Sequence, residues 1–135
     1  MSQDRVAIIR ALVERWNAGE RGFEGFPEYF DPAIELESPL SSVVGEPYRG
    51  YAGMERWVRD LDEQFAEWCL KLDDVRQIGN QVIAIGTVNA RGRASDVALQ
   101  FPSATVHDFG SDDRVTRMHI YPDVNEALEA VGLSE

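Results

Sequence analysis

The sequence predicts an α+β fold: a bent antiparallel sheet packed on N-terminal helices around a small pocket. Three observations carry this. Helical periodicity fills the first half of the chain, strand-like sequence fills most of the second, and a short capped helix closes it. Gly79-Asn80, Arg91-Gly92 and Gly110-Ser111-Asp112-Asp113 are turn signals that divide the second half. The last strand, Arg114 to Tyr121, puts Arg117, His119 and Tyr121 on one face and Thr116, Met118 and Ile120 on the other.

The elements follow in order. Ser2 and Asp4 suit the first turn of a helix, where free backbone N–H groups favour oxygen acceptors and negative charge. Val6, Ile9, Val13 and Trp16 fall at helical spacing, Ile8 and Leu12 widen the stripe, and Asn17-Ala18-Gly19 stops it. A short second helix is expected around Pro27 to Phe30, ended by Asp31-Pro32. Ile34-Glu35-Leu36-Glu37 alternates apolar and acidic residues and reads as a half-buried first strand. Pro39 to Tyr51, with two prolines and two glycines, reads as a long loop. Met54, Trp57, Val58, Leu61, Phe65 and Trp68 form one apolar stripe of a third helix.

An antiparallel meander is then expected over roughly Leu70–Ile78, Gln81–Arg91, Ser95–Phe109 and Arg114–Tyr121. A final helix starts at Asp123, which can cap it, with Glu126 as the reciprocal half of a capping box. Leu128 and Val131 dock that helix and Gly132 ends it.

With 135 residues, 44% of them apolar, the chain suits one soluble domain with a proper core. No apolar run approaches the roughly 20 residues that span a bilayer. The start of the chain lacks the basic-then-apolar order of a signal peptide. One cysteine, Cys69, excludes an internal disulfide and fits a reducing compartment, so a cytoplasmic location is expected. A net charge of -11 with scattered basic residues argues against nucleic acid and anionic membranes as partners. Two isolated histidines and one cysteine give no zinc spacing. No dinucleotide fingerprint, phosphate loop or nucleophile elbow is present, and no metal or organic cofactor is implied.

This order of elements resembles the nuclear transport factor 2-like superfamily, with local features similar to its SnoaL-like, polyketide cyclase-like branch. The features are Trp16-Asn17-Ala18-Gly19, Tyr29-Phe30-Asp31-Pro32-Ala33 and Tyr48-Arg49-Gly50-Tyr51-Ala52-Gly53. Arg114-Val115 through Tyr121-Pro122-Asp123, then Glu126-Ala127-Leu128 and Gly132-Leu133, complete them. The resemblance covers nearly the whole chain, as one domain over residues 1–135. It implies a cone-shaped, cystatin-like α+β barrel and a pocket for a mostly apolar small molecule. It also implies a homodimer paired through the outer face of the sheet.

Relatives in that superfamily include isomerases, hydrolases, dehydratases, cyclases and noncatalytic binding proteins, so function must come from side chains. Against a ketosteroid isomerase, the tyrosine donor falls at Leu12, the base at Glu37 or Ser38, and the protonated aspartate at Thr105. That pattern argues against steroid isomerisation of that type.

The candidate proton carriers are Glu35, Glu37 and His119, with Tyr121, Arg93 or Arg117 orienting a substrate. Glu35 and Glu37 share one strand face, and alternation alone does not say whether it is the pocket face or an outer one. The same alignment puts Met118 and Ile120 inside and His119 outside. His107, near the end of its strand, reads as structural, and Cys69 as a half-buried strand residue.

Trp16 and Trp57 are candidate pocket walls, with Thr105; Phe65 and Trp68 read as core. Tyr48 and Tyr51 stand either at the pocket mouth or in a solvent-facing turn. Two readings remain open. One is a cofactor-independent acid–base enzyme, a cyclase, isomerase, dehydratase or hydrolase. The other is a noncatalytic ligand-binding or dimeric interaction domain. The first requires a buried ionisable side chain in the pocket with a shifted pKa; the second requires only apolar and hydrogen-bonding walls.

Overall fold

A computed structural model describes residues 4–19, 26–38 and 45–132. Ser2, Leu133 and most of the expected loop before Gly45 lie outside the described residues. Helix α1 (Arg5–Asn17) begins where expected: the Asp4 carboxylate accepts from the N–H groups of Val6 and Ala7. A four-residue helix α2 (Phe26–Tyr29) runs straight into strand β1 (Phe30–Glu37). This strand starts earlier than the Ile34–Glu37 alternation suggests. Its first half carries an irregularity between Phe30 and Glu35, and there the Asp31 side chain accepts from the Ala33 N–H at 2.8 Å.

The end of the expected long loop holds a two-residue strand, β2 (Tyr48–Arg49), and then helix α3 (Gly50–Gln64). Gly53 is required there: a Cβ on it would lie 2.9 Å from the Tyr48 carbonyl carbon. Strands β3 (Phe65–Ile78), β4 (Gln81–Gly92), β5 (Ala98–Phe109) and β6 (Val115–Tyr121) form the expected meander. Gly79, at φ +62°, makes the first of its turns. Helix α4 (Val124–Ala130) closes the described chain, with the Asp123 carboxylate accepting from the Asn125 N–H.

Two expectations change. The helical stripe does not continue through Phe65 and Trp68. Helix α3 stops at Gln64 and the chain turns extended at Phe65, with φ -126° and ψ 132°. Pairing of Glu67 and Trp68 with Arg91 and Ala90 of β4 draws these residues into the sheet. Tertiary pairing here overrides a stripe that fits a helix equally well. Cys69, expected to be half-buried, is exposed on the edge strand β3.

The six strands form one sheet in the order β2-β1-β6-β5-β4-β3. It is antiparallel except where β1 lies parallel to β6, in the register Glu35 with Arg117, Leu36 with Met118 and Glu37 with His119. One face receives α1 and α3 and holds the main core, with Ile9, Ile34, Leu36 and Met54 at 1% exposure or less. The opposite face is partly covered by α4, whose Ala127 and Leu128, with Val131 just beyond, pack on Ile83, Ala104 and Val106. No helix among the described residues is long and apolar enough to cross a membrane.

Helix α1 is tied down at both ends. At its start, Arg5 pairs with Asp113 at 2.9 Å, donates to the Gly110 carbonyl and lies over the Phe109 ring. At its end, the Asn17 amide donates to the Leu70 carbonyl at 2.7 Å and accepts from the Leu70 N–H at 3.0 Å. Asn17 thus behaves as a one-residue partner for the free edge of β3, and it fixes the helix across the mouth of the curved sheet.

Candidate functional site

Between α1, α3 and the sheet lies a cavity of about 80 Å³. Its origin is legible in the strand register. On the inner face of the sheet Ala84 pairs with Thr105 and Gly86 with Ser103, so small side chains meet small ones at the middle of the sheet. Larger residues surround that shallow centre: Leu12 and Trp16 from α1, Met54 and Trp57 from α3, and Trp68 from β3. The Trp16 and Trp57 rings stack at 5.2 Å with 28° between their planes. Trp16 also donates through its indole N–H to the Trp68 carbonyl at 3.3 Å. Thr105, Trp16 and Trp57, all expected pocket residues, therefore come together here.

The polar groups of the cavity come from one strand. Ser103, Thr105 and His107 occupy alternate positions of β5, so all three face inward in a row. They are buried, His107 at 2% exposure. The His107 Nδ1–H donates to the Val82 carbonyl at 3.1 Å. A carbonyl oxygen only accepts, so this bond places the proton of the neutral ring on Nδ1 and leaves Nε2 as a bare acceptor. Burial pushes the His107 pKa down to about 4, against smaller opposing effects of the Val82 carbonyl and Asp108. Near neutral pH the cavity wall therefore includes an uncharged imidazole whose Nε2 lone pair has no partner among the described residues. His107 pairs with Met118 and Val106 with His119, so His107 shares the inner face with Met118 while His119 lies on the outer one.

The expected proton carriers lie elsewhere. Parallel pairing sets Glu35, Glu37, Arg117, His119 and Tyr121 on the outer face, while Leu36, Met118 and Ile120 point to the interior. There Glu37 pairs with Arg117 at 3.3 Å and with the His119 ring nitrogen at 3.3 Å. His119 stacks on Tyr121 at 3.9 Å. Desolvation holds the His119 pKa below its usual value, and burial raises that of Tyr121. Glu35 is half-exposed beside Arg49. None of these five residues lines the cavity.

Arg93 and Tyr48 are also placed differently from expectation. The Arg93 guanidinium donates to the carbonyls of Asp62 at 2.6 Å and Phe65 at 3.3 Å, so it satisfies the end of α3 rather than a substrate. The Tyr48 hydroxyl donates to Asp60 at 2.6 Å. Burial and that bond push its pKa up to about 12, and Tyr48 is not among the residues that line the cavity. Tyr51 donates to the Phe30 carbonyl and belongs to the core wall.

Leu12 and Thr105, where an isomerase would carry its two oxyanion donors, do line the cavity. The positions are in place but the acidic side chains are not. Among the described residues, no group of three or more His, Cys, Asp or Glu side chains is arranged to hold a metal ion.

Comparison with known proteins follows the same lines. A protein of unknown function from Burkholderia pseudomallei K96243, described as NTF2-like, superposes with a TM-score of 0.79 at 15% identity, covering 97% of this chain and 99% of its own. TerC, co-crystallised with polyporic acid, gives a TM-score of 0.76 at 17% identity, covering 94% and 97%. A SnoaL-like polyketide cyclase from Agrobacterium tumefaciens C58 gives 0.71 at 15% identity, covering 97% and 100%. At these identities the likeness shows the nuclear transport factor 2-like fold. A comparison with curated proteins finds no match. The SnoaL-like domain model matches residues 9–118, from within α1 to the middle of β6, and the chain belongs to the SnoaL-like domain family.

Proposed function

We propose that this protein binds a mostly apolar small molecule in the inner cavity and acts on it by cofactor-independent acid–base chemistry, with His107 as the proton carrier. The observation that carries the reading is the buried, neutral His107 of the cavity wall, whose Nδ1–H is held by the Val82 carbonyl and whose Nε2 has no hydrogen-bond partner among the described residues. Nε2 would take a proton from a bound C–H or O–H acid. The imidazolium so formed would sit beside the new anion where little water screens the pair. The Ser103 and Thr105 hydroxyls, in the same row, would donate to the oxygen on which charge develops. A low pKa makes His107 a weak base but a strong acid once protonated. That favours reactions in which the proton is returned to the product, such as isomerisation, dehydration or ring closure. The co-crystallised small molecule in TerC lends support to a ligand-binding role.

Pairing of two copies through the sheet's outer face and action in the cytoplasm belong to the same proposal. The outer face of the sheet carries Lys71, Asn89 and Gln100, with Asn89 and Gln100 already bonded to each other, so pairing over these residues would be polar.

A generic base probe tests the reaction. 5-Nitrobenzisoxazole is flat and uncharged, and it opens to a coloured cyanophenolate when a base removes its ring C–H proton. The expected result is catalysed opening that is level from roughly pH 6 to 8, as befits a base already deprotonated there, and that falls at least roughly tenfold in H107N. Asparagine keeps a donor toward the Val82 carbonyl and lacks a nitrogen at the Nε2 position. Equal rates in wild type and H107N would remove the base and leave the noncatalytic binding reading.

A further inference from the structure

Beyond the inner cavity lies a second, outer chamber of about 300 Å³. The two share Trp57, Trp68, Ser103 and Ile120 as walls. The outer one continues along Phe65 and Phe101, with the Trp68 ring in contact with both, at 4.9 and 5.6 Å. The inner cavity alone is far below the roughly 300–1,000 Å³ typical of small-molecule sites. A ligand reaching His107 must therefore extend past this seam. Among the described residues, neither chamber is lined by Lys, Arg, Asp or Glu. An ionised ligand would lose its hydration and find no counter-charge. The imidazole that ends the inner cavity offers only an acceptor.

Resting on the reading of the cavity as a small-molecule site, we propose a definite ligand class. It is uncharged and elongated, with an O–H or N–H donor at its buried end for His107 Nε2 and an apolar body lying across Trp57 and Trp68 into the outer chamber.

Four probes separate these features: 4-phenylphenol, biphenyl, biphenyl-4-carboxylate and phenol. Their binding is followed at pH 7 through the NMR signals of the three tryptophan indole N–H groups. The expected order has 4-phenylphenol binding about tenfold tighter than biphenyl and at least about tenfold tighter than phenol. The carboxylate should bind only as the pH falls toward its own pKa and it enters as the neutral acid. In H107N the advantage of 4-phenylphenol over biphenyl should vanish. Should that variant fail to fold, the order of the four probes on the wild-type protein decides alone. Carboxylate binding as tight as 4-phenylphenol at pH 7, or biphenyl or phenol binding equally well, overturns the ligand class and leaves the cavity as a small-molecule site. If none of the four perturbs the indole signals, both the ligand class and the small-molecule reading fall.

Discussion

His107 shows how one residue joins stability to function. Its pKa is about 4 in the fold and about 6.5 when unfolded. The unfolded chain therefore takes up a proton near pH 6.5 that the folded chain refuses until about pH 4. The contribution of His107 to stability is fully present above roughly pH 6.5. It is lost as pH falls through the window down to 4, by on the order of 3 kcal/mol. H107N lacks the titrating ring. Urea midpoints at pH 7.5 and 4.5 should therefore fall further for wild type than for H107N, and an equal fall would show that the ring is not buried neutral. From sequence His107 reads only as a structural residue near the end of its strand; its burial and its bond to Val82 come from the fold. That reading missed the cavity, because the hollow depends on Ala84 and Gly86 standing across from Thr105 and Ser103, a register set by folding. Glu37 and His119 were candidates as ionisable side chains on one face of the first and last strands; they do meet, at 3.3 Å, but on the face away from the cavity.

At the level of elements, most of the chain was legible where local chemistry decides. The caps at Asp4 and Asp123, the Gly79-Asn80 turn and the four meander strands follow from short patterns. The junction of α3 and β3 was not. Phe65 and Trp68 satisfy a helical stripe and a strand face alike, and only the partner strand β4 chooses between them. Arg93 belongs to the same junction: an arginine after a glycine turn carries no sign that it will bond the carbonyls of Asp62, in the last turn of α3, and Phe65, the first residue of β3, 31 and 28 positions earlier. The Asn17 bridge is a similar long-range device, and it can be tested separately. Asn17→Ala removes both bonds to Leu70, and because the site is exposed the cost should be only about 1 kcal/mol in urea unfolding. The more telling readout is hydrogen exchange. The Leu70 N–H should lose protection in Asn17→Ala while amides in the middle of β4 keep theirs. Unchanged exchange at Leu70 would mean that α1 is held to the sheet by apolar packing alone.

For the molecule as a whole, the two faces of the sheet are closed by different parts of the chain. The inner face takes α1 and α3 and keeps a hollow; the outer face takes α4. Helix α4 has only seven residues, too few to be stable by itself, so its position depends on what it buries. Leu128, at 6% exposure, is the largest of its buried side chains and packs with Ala127 and Val131 over Ile83, Ala104 and Val106. Truncation in Leu128→Ala should cost about 2–4 kcal/mol by loss of buried area and an imperfectly filled gap. Leu128→Asp should do something different in kind. A carboxylate at that position would lift α4 from the sheet and uncover a contiguous apolar patch on β4 and β5, the sort of surface that a second copy of the chain covers readily. Sedimentation velocity should then show L128D associating more strongly than wild type. The ring-opening rate should be retained, because His107 lies on the inner side of β5 while the uncovered residues Ala104 and Val106 lie on the outer side of the same strand. Unchanged sedimentation with preserved protection of the α4 amides would mean that the helix holds its place without Leu128, and that it does not limit pairing through this face.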